Sequence, residues 1–142
     1  MNEKRGKFVY IAGSWDDRET IKDIAKKVED NGGIVDCKWF YDQPIASIDA
    51  LDWYTHPEIE KRFIRDINGC DDCNTFVLYM GKGSKLQGAL VELGVCYSLE
   101  YPRRPKRYIA IGKPVKSVML RKIDKWYDSV DDMLEQEEWF NE

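Results

Sequence analysis

The chain has 142 residues, 43% of them hydrophobic and 34% charged, and a formal net charge of −4. That length suits a single domain, residues 1–142, built on one core, and the lack of a basic surplus argues against nucleic acid or an anionic membrane as partner. No apolar run is long enough to span a bilayer or to serve as a secretory leader, so the expected location is the cytoplasm, with the four cysteines reduced.

Strand-like and helix-like segments alternate. Lys7 to Ala12 is a short apolar β run ending at Gly13-Ser14. Asp17 is placed to cap a helix in which Ile21, Ile24, Ala25 and Val28 recur at helical spacing, and Asn31-Gly32-Gly33 stops it. Ile34 to Phe40 reads as a second strand, followed by a long connection from Tyr41 to His56 whose Ile48, Trp53 and Tyr54 argue against disorder. Thr55-His56-Pro57-Glu58 has the spacing of a capping box with proline in the first turn. The helix it starts runs to about Gly69, with Ile59, Phe63 and Ile67 on one face and Asp66 close to that face.

Asn74 to Met80 is the third strand, and Gly81-Lys82-Gly83-Ser84-Lys85 turns into the next helix. Arg107 to Ile111 is a fourth strand after the basic stretch Pro102 to Lys106, which reads as a solvated loop. Lys125-Trp126-Tyr127 is a short fifth, and Ser129 caps a final helix bearing Val130, Met133 and Leu134. The expectation is an α/β, three-layer flavodoxin/Rossmann-like sandwich: a parallel sheet of about five strands with helices on both faces. Ligands of such sheets bind beyond the carboxyl ends of the strands. That rule gathers Gly13-Ser14-Trp15, Tyr41 to Gln43, Gly81 to Lys85 and the start of the following helix around one crevice.

The helix from Gln87 to Leu99 carries the residue that stands out. Glu92 has Gly88, Ala89, Val95 and Cys96 as its helical neighbours, and Leu86, Leu90, Leu93 and Tyr97 form the adjoining stripe, so the helix is expected to be buried nearly all round. A carboxylate in such a place is either held by a structural cation or positioned for chemistry. The other groups carry alternatives too. Gly81 to Lys85 is an anion-binding turn or a plain connection; Trp15 stacks on a planar base or joins the core; Asp66 is an acid catalyst or a helix charge; Asp71 and Asp72 end their helix. Cys70-x-x-Cys73 has no second cysteine pair, and His56 is the one histidine, which speaks against a zinc site. Two carboxyl groups flanking a substrate are the equipment of glycosidic cleavage: one attacks the anomeric carbon and the other manages protons. An aromatic plate suits a nucleobase leaving group.

Several blocks, in this order, resemble the nucleoside 2-deoxyribosyltransferases and the related nucleoside 5′-monophosphate N-glycosidases. They are Tyr10-Ile11-Ala12-Gly13-Ser14-Trp15 with Asp17-Arg18, Tyr41-Asp42-Gln43, His56-Pro57-Glu58, Arg65-Asp66-Ile67-Asn68-Gly69 with Asp72-Cys73-Asn74, and Gly88-Ala89-Leu90-Val91-Glu92-Leu93-Gly94. The likeness spans roughly residues 7 to 135, and the Glu-Leu-Gly block is its most specific part. The resemblance implies Glu92 as nucleophile toward C1′ of a deoxyribose, Asp66 as the acid near the base, and Tyr10 as the partner of the nucleophilic carboxylate. It implies Gln43 as a base contact, Gly13 and Trp15 as walls of the base pocket, Ser84 near the sugar 5′ position, and Ser14 and Gly88 as further substrate-binding residues. It further implies no metal or organic cofactor, a nucleoside or nucleotide and a free nucleobase as partners, and a homodimer or higher homo-oligomer.

Departures from the family pattern bear on the 5′ group. Ser84 stands where transferases of free nucleosides often carry Asp, as in the monophosphate N-glycosidases, and a hydroxyl between Lys82 and Lys85 suits a phosphate. Gln43 instead favours the transferases, and Asp16 stands where the hydrolases tend to place Arg. The transferases' C-terminal Asn, which reaches a neighbour's site, has no clear match. The expected activity is transfer of deoxyribose between nucleobases through a glycosyl-Glu92 intermediate. The alternatives are a nucleoside monophosphate N-glycosidase, a nucleotide-binding module of the same fold without turnover, and a flavodoxin-like interaction domain with a structural Glu.

Overall fold

The structure, a computed structural model, describes residues 8–45, 49–81, 85–100 and 105–137. Four strands, β1 (Val9–Ala12), β2 (Thr75–Met80), β3 (Arg107–Gly112) and β4 (Lys125–Tyr127), form one parallel sheet in the order β1-β2-β3-β4. The helices are α1 (Arg18–Asp30), α2 (Ala50–Thr55), α3 (Pro57–Asp72), α4 (Gln87–Glu100) and α5 (Val130–Gln136). The chain is therefore α/β, a parallel sheet layered with helices. β1 is buried at every position, as a strand covered on both faces must be.

The register fixes which side chains share a face. Tyr10 lies beside Phe76 and Phe76 beside Tyr108; the Tyr10 and Phe76 rings stack at 5.6 Å. α3 and α4 pack together over this face. Ile11, Val77 and Ile109 point the other way. There α1 buries Ile21, Ile24, Ala25 and Val28, and Lys27 reaches Asp131 of α5 at 3.6 Å. α1 ends at Asp30, and Gly32 just beyond it has a φ of 99°, which suits a residue without a side chain.

Of the about five strands expected, four form among the described residues. Ile34 makes a single parallel bridge to Phe8, and the rest of the 34–40 segment leaves the sheet. The reason is Trp39. It sits in a 3-10 turn, Trp39–Tyr41, and its indole N–H donates to the Ile11 carbonyl at 2.8 Å, the acceptor that a longer edge strand would have used.

Other local expectations change as well. Part of the Tyr41–His56 connection is helical, namely α2; Ile48 lies outside the described residues. His56, not Thr55, caps α3: its Nδ1 accepts from the Glu58 N–H at 3.0 Å, while Thr55 closes α2. Asp17 occupies the cap position of α1, yet its carboxylate lies against Gly81 and makes no capping bond. Phe63 is 65% exposed rather than core. Lys106 is buried, not solvated: its ammonium donates to the carbonyls of Asp71 at 2.8 Å and Cys73 at 2.6 Å, closing the end of α3. α4 buries Ala89, Leu93 and Cys96 but exposes Gln87, Gly88, Val91 and Ser98, so it is not enclosed all round.

Candidate active site

Three of the residues singled out in the sequence come together on the α3/α4 side of the sheet. Tyr10 reaches up from β1, and its hydroxyl donates to Oε2 of Glu92 on α4. Asp66 projects from α3 close enough for its charge to act on both. Parallel strands place Tyr10 deep in the core, so its ring is the rigid post and its hydroxyl the part that meets polar groups.

Electrostatics separate the two carboxyls. Burial pushes the Glu92 carboxyl up to about 7; the Tyr10 hydrogen bond and the Arg65 charge oppose that rise, and the Asp66 charge adds to it. Asp66 is also raised by burial, but Arg65 and the Cys37 thiol both bond it and hold it back. Arg65 Nε donates to Asp66 Oδ1 at 3.0 Å, and Cys37 Sγ donates to the same oxygen at 3.3 Å. The thiol is pushed up to about 12 by burial and by Asp66, so it stays a neutral donor. Tyr10 is raised by burial and then by the Glu92 charge, and it too remains protonated.

Arg65 does more than flank Asp66. Its guanidinium grips Asp42 with two bonds of 2.7 Å, the planar fork matching the carboxylate. Arg62, one turn earlier, donates to the Gln43 carbonyl at 2.8 Å. Two arginines of α3 thus fasten the 41–45 segment, on which Gln43 is exposed, to the helix that carries Asp66. Arg65, Asp42 and Cys37 were not singled out in the sequence. The Arg62/Arg65 spacing on one helix face was visible there, but a partner more than twenty positions away was not.

The remaining candidates lie at the carboxyl ends of the strands. A Cβ on Gly13 would stand 2.6 Å from Ile21 Cδ1 and 3.2 Å from the Tyr79 carbonyl oxygen, so position 13 itself is crowded. Ser14 is buried and accepts from the Asp16 N–H at 3.2 Å. Trp15 is 39% exposed, tilts against Trp39 at 6.3 Å and carries the Arg18 guanidinium 4.5 Å over its ring. Gly88, one turn before Glu92, opens onto empty space: a Cβ there would have nothing within 4 Å. Ser84 lies outside the described residues. A cavity of about 230 Å³ is not in front of Glu92 but behind Tyr10. It lies between α3 and the 34–37 segment at the amino-terminal end of β1, lined by Arg65, Asn68, Gly69 and Cys37 among others.

This arrangement can do one thing well. A carboxylate that titrates near neutrality, held by a neutral hydroxyl and bonded by no cation among the described residues, keeps a free oxygen for a new bond. A second carboxyl, Asp66, stands close by, raised by burial and held by Arg65 and Cys37, where it can exchange a proton with a bound group. Compared with protein-family models and with curated protein sequences, the chain matches none.

Proposed function

We propose that the protein cleaves the N-glycosidic bond of a 2′-deoxynucleoside and transfers the deoxyribosyl group to another nucleobase. A Glu92 oxygen attacks C1′; the C1′–N bond breaks and its electron pair stays on the departing base, which Asp66 protonates. A second base then attacks C1′, the ester bond to Glu92 breaks, and the proton on the incoming nitrogen passes to Asp66. Tyr10 holds the carboxylate in one orientation throughout. The observation that carries this reading is Glu92 bonded by a hydroxyl and, among the described residues, by no cation, with the charge of Asp66 acting on it. The turn at Gly13 to Trp15 and the Arg-held segment bearing Gln43 are the groups on hand to bind the base.

The test is intact mass. Incubated with a panel of deoxynucleosides, the protein gains the mass of one deoxyribosyl group, and Glu92→Gln gains none. Exchange of cytosine into deoxyadenosine then demonstrates transfer. Base release from deoxynucleoside monophosphates alone, without exchange, replaces this reading by the hydrolase. Ligand binding with neither adduct nor base release replaces it by a binding module.

The same reading includes a second copy of the chain. Phe63 (65% exposed) and Ile64 (50%) on α3 and Val91 (67%) on α4 are exposed apolar side chains on the two helices that carry Asp66 and Glu92. Equilibrium sedimentation at micromolar concentration gives a dimer or larger, and Val91→Asp shifts it to monomer; a monomeric wild type removes this part of the proposal.

A further inference from the structure

The notch that seats Tyr10 is made by a missing side chain. Gly69 lies inside α3, one turn before its end, where glycine is the least favourable residue but proline. A Cβ there would lie 2.8 Å from Cε2 and 2.9 Å from Cδ2 of Tyr10, and 3.0 Å from the Cβ of Cys37. The ring has no room on the side away from α3. Its other flank stacks on Phe76 at 5.6 Å with only 10° between the planes, and Phe76 is backed by Tyr108 at 6.4 Å. All three aromatic residues are buried. The ring is thus held between α3 and Phe76, with its hydroxyl at the far end of the lever.

We infer that Gly69 is a positioning residue, whose bare backbone lets the Tyr10 ring lie where its hydroxyl meets Glu92. The inference rests on the proposed role of Glu92 for its catalytic consequence, but not for its geometry. A methyl at position 69 displaces the ring or lifts α3, and either motion draws the hydroxyl off the carboxylate. The charged and titratable groups that act on Glu92 are Tyr10 from β1 and Asp66 and Arg65 from α3. Asp66 and Arg65 sit one turn before Gly69 on the same helix, so their influence is read separately.

The experiment is a carboxyl NMR titration of the full chain, which needs no substrate. Glu92 titrates near 7 in the wild type, and Tyr10→Phe moves it upward by about one unit, the loss of one hydrogen bond to the charged form. Gly69→Ala is expected to move it most of the way to the Tyr10→Phe value, and to add no further shift in the Tyr10→Phe background. With an active enzyme, kcat falls about as far as in Tyr10→Phe while KM is unchanged. A Glu92 titration in Gly69→Ala identical to wild type, whatever the loss of thermal stability, overturns the inference. Should Gly69→Ala fail to fold, the pair Gly69→Ala with Tyr10→Leu makes room for the methyl. Recovery of folding by that pair locates the clash at the ring, and failure to recover overturns the inference. Loss of the adduct assay alone, with these titrations as expected, counts against the proposed activity and leaves Gly69 in its place.

Discussion

Two of the tyrosine–glutamate pairs among the described residues, Tyr127–Glu137 and Tyr10–Glu92, are built differently. Tyr127 donates to Glu137, but Glu137 also takes two bonds from Arg107, at 2.7 and 2.9 Å, and is only 3% exposed. Tyr10 donates to Glu92, and among the described residues no cation bonds that carboxylate. The first pair consumes its charge in holding the start of β3 to the residue that follows α5. The second leaves its charge unneutralised, and burial then drives its titration toward neutrality. A buried glutamate is thus no sign of chemistry by itself; the partner decides whether it is a fastener or a reagent.

The comparison can be broken most sharply at its cation. Arg107→Met strips both guanidinium bonds from the buried Glu137 carboxylate and should cost about 3 kcal/mol or more in urea denaturation, with activity per folded molecule unchanged. A loss below about 0.5 kcal/mol would make the two glutamates equivalent. At the other site the sign reverses. Glu92 has its carboxyl raised from 4.5 to about 7, so the folded state keeps a proton that the unfolded chain releases, and stability falls as pH rises through that interval. Above pH 7 the full penalty is present, and Glu92→Gln should therefore stabilise the protein by about 2 kcal/mol at pH 8 and by almost nothing at pH 4. Equal effects at both pH values would show that Glu92 is not desolvated.

Smaller effects sharpen the contrast. The nucleophile must be ionised, so kcat/KM should rise with pH along a limb centred near 7 and flatten above it; a limb near pH 4.5 would mean an ordinary, solvated carboxylate. Finally, Tyr10→Phe and Tyr127→Phe each remove one hydrogen bond and should each cost about 1–2 kcal/mol in thermal or urea unfolding. The first alone should move the acid limb, and a shift in both would mean that the two sites are coupled.

What could be read from the amino-acid order follows from how local the signal is. Glu92 was legible because a carboxylate interrupts an apolar helix, and β1 and β2 because their runs are apolar without alternation. Ser129 was legible as a cap because its partner, the Asp132 N–H, is three residues away. Glu137 was not, because Tyr127 and Arg107, which bond it, lie 10 and 30 positions off. Lys106 was misread for the same reason: it stands in a basic run, yet its ammonium is taken by carbonyls 33 and 35 positions away. The 34–40 segment has strand composition throughout. Its fate turned on one indole finding the Ile11 carbonyl, 28 positions back, which no window of neighbouring residues reveals. Asp66 was found without the arginine that governs it.

The bond from Tyr10 to Glu92 joins residues 82 positions apart, across α1, α2, α3 and the β1–β2 pairing. Closing so long a stretch is entropically expensive and is compensated only once the intervening elements have docked. No peptide excised from this chain would carry the pair. During refolding, catalytic competence should return no sooner than the slowest global signal of compaction, and during synthesis it should wait until the ribosome has released α4.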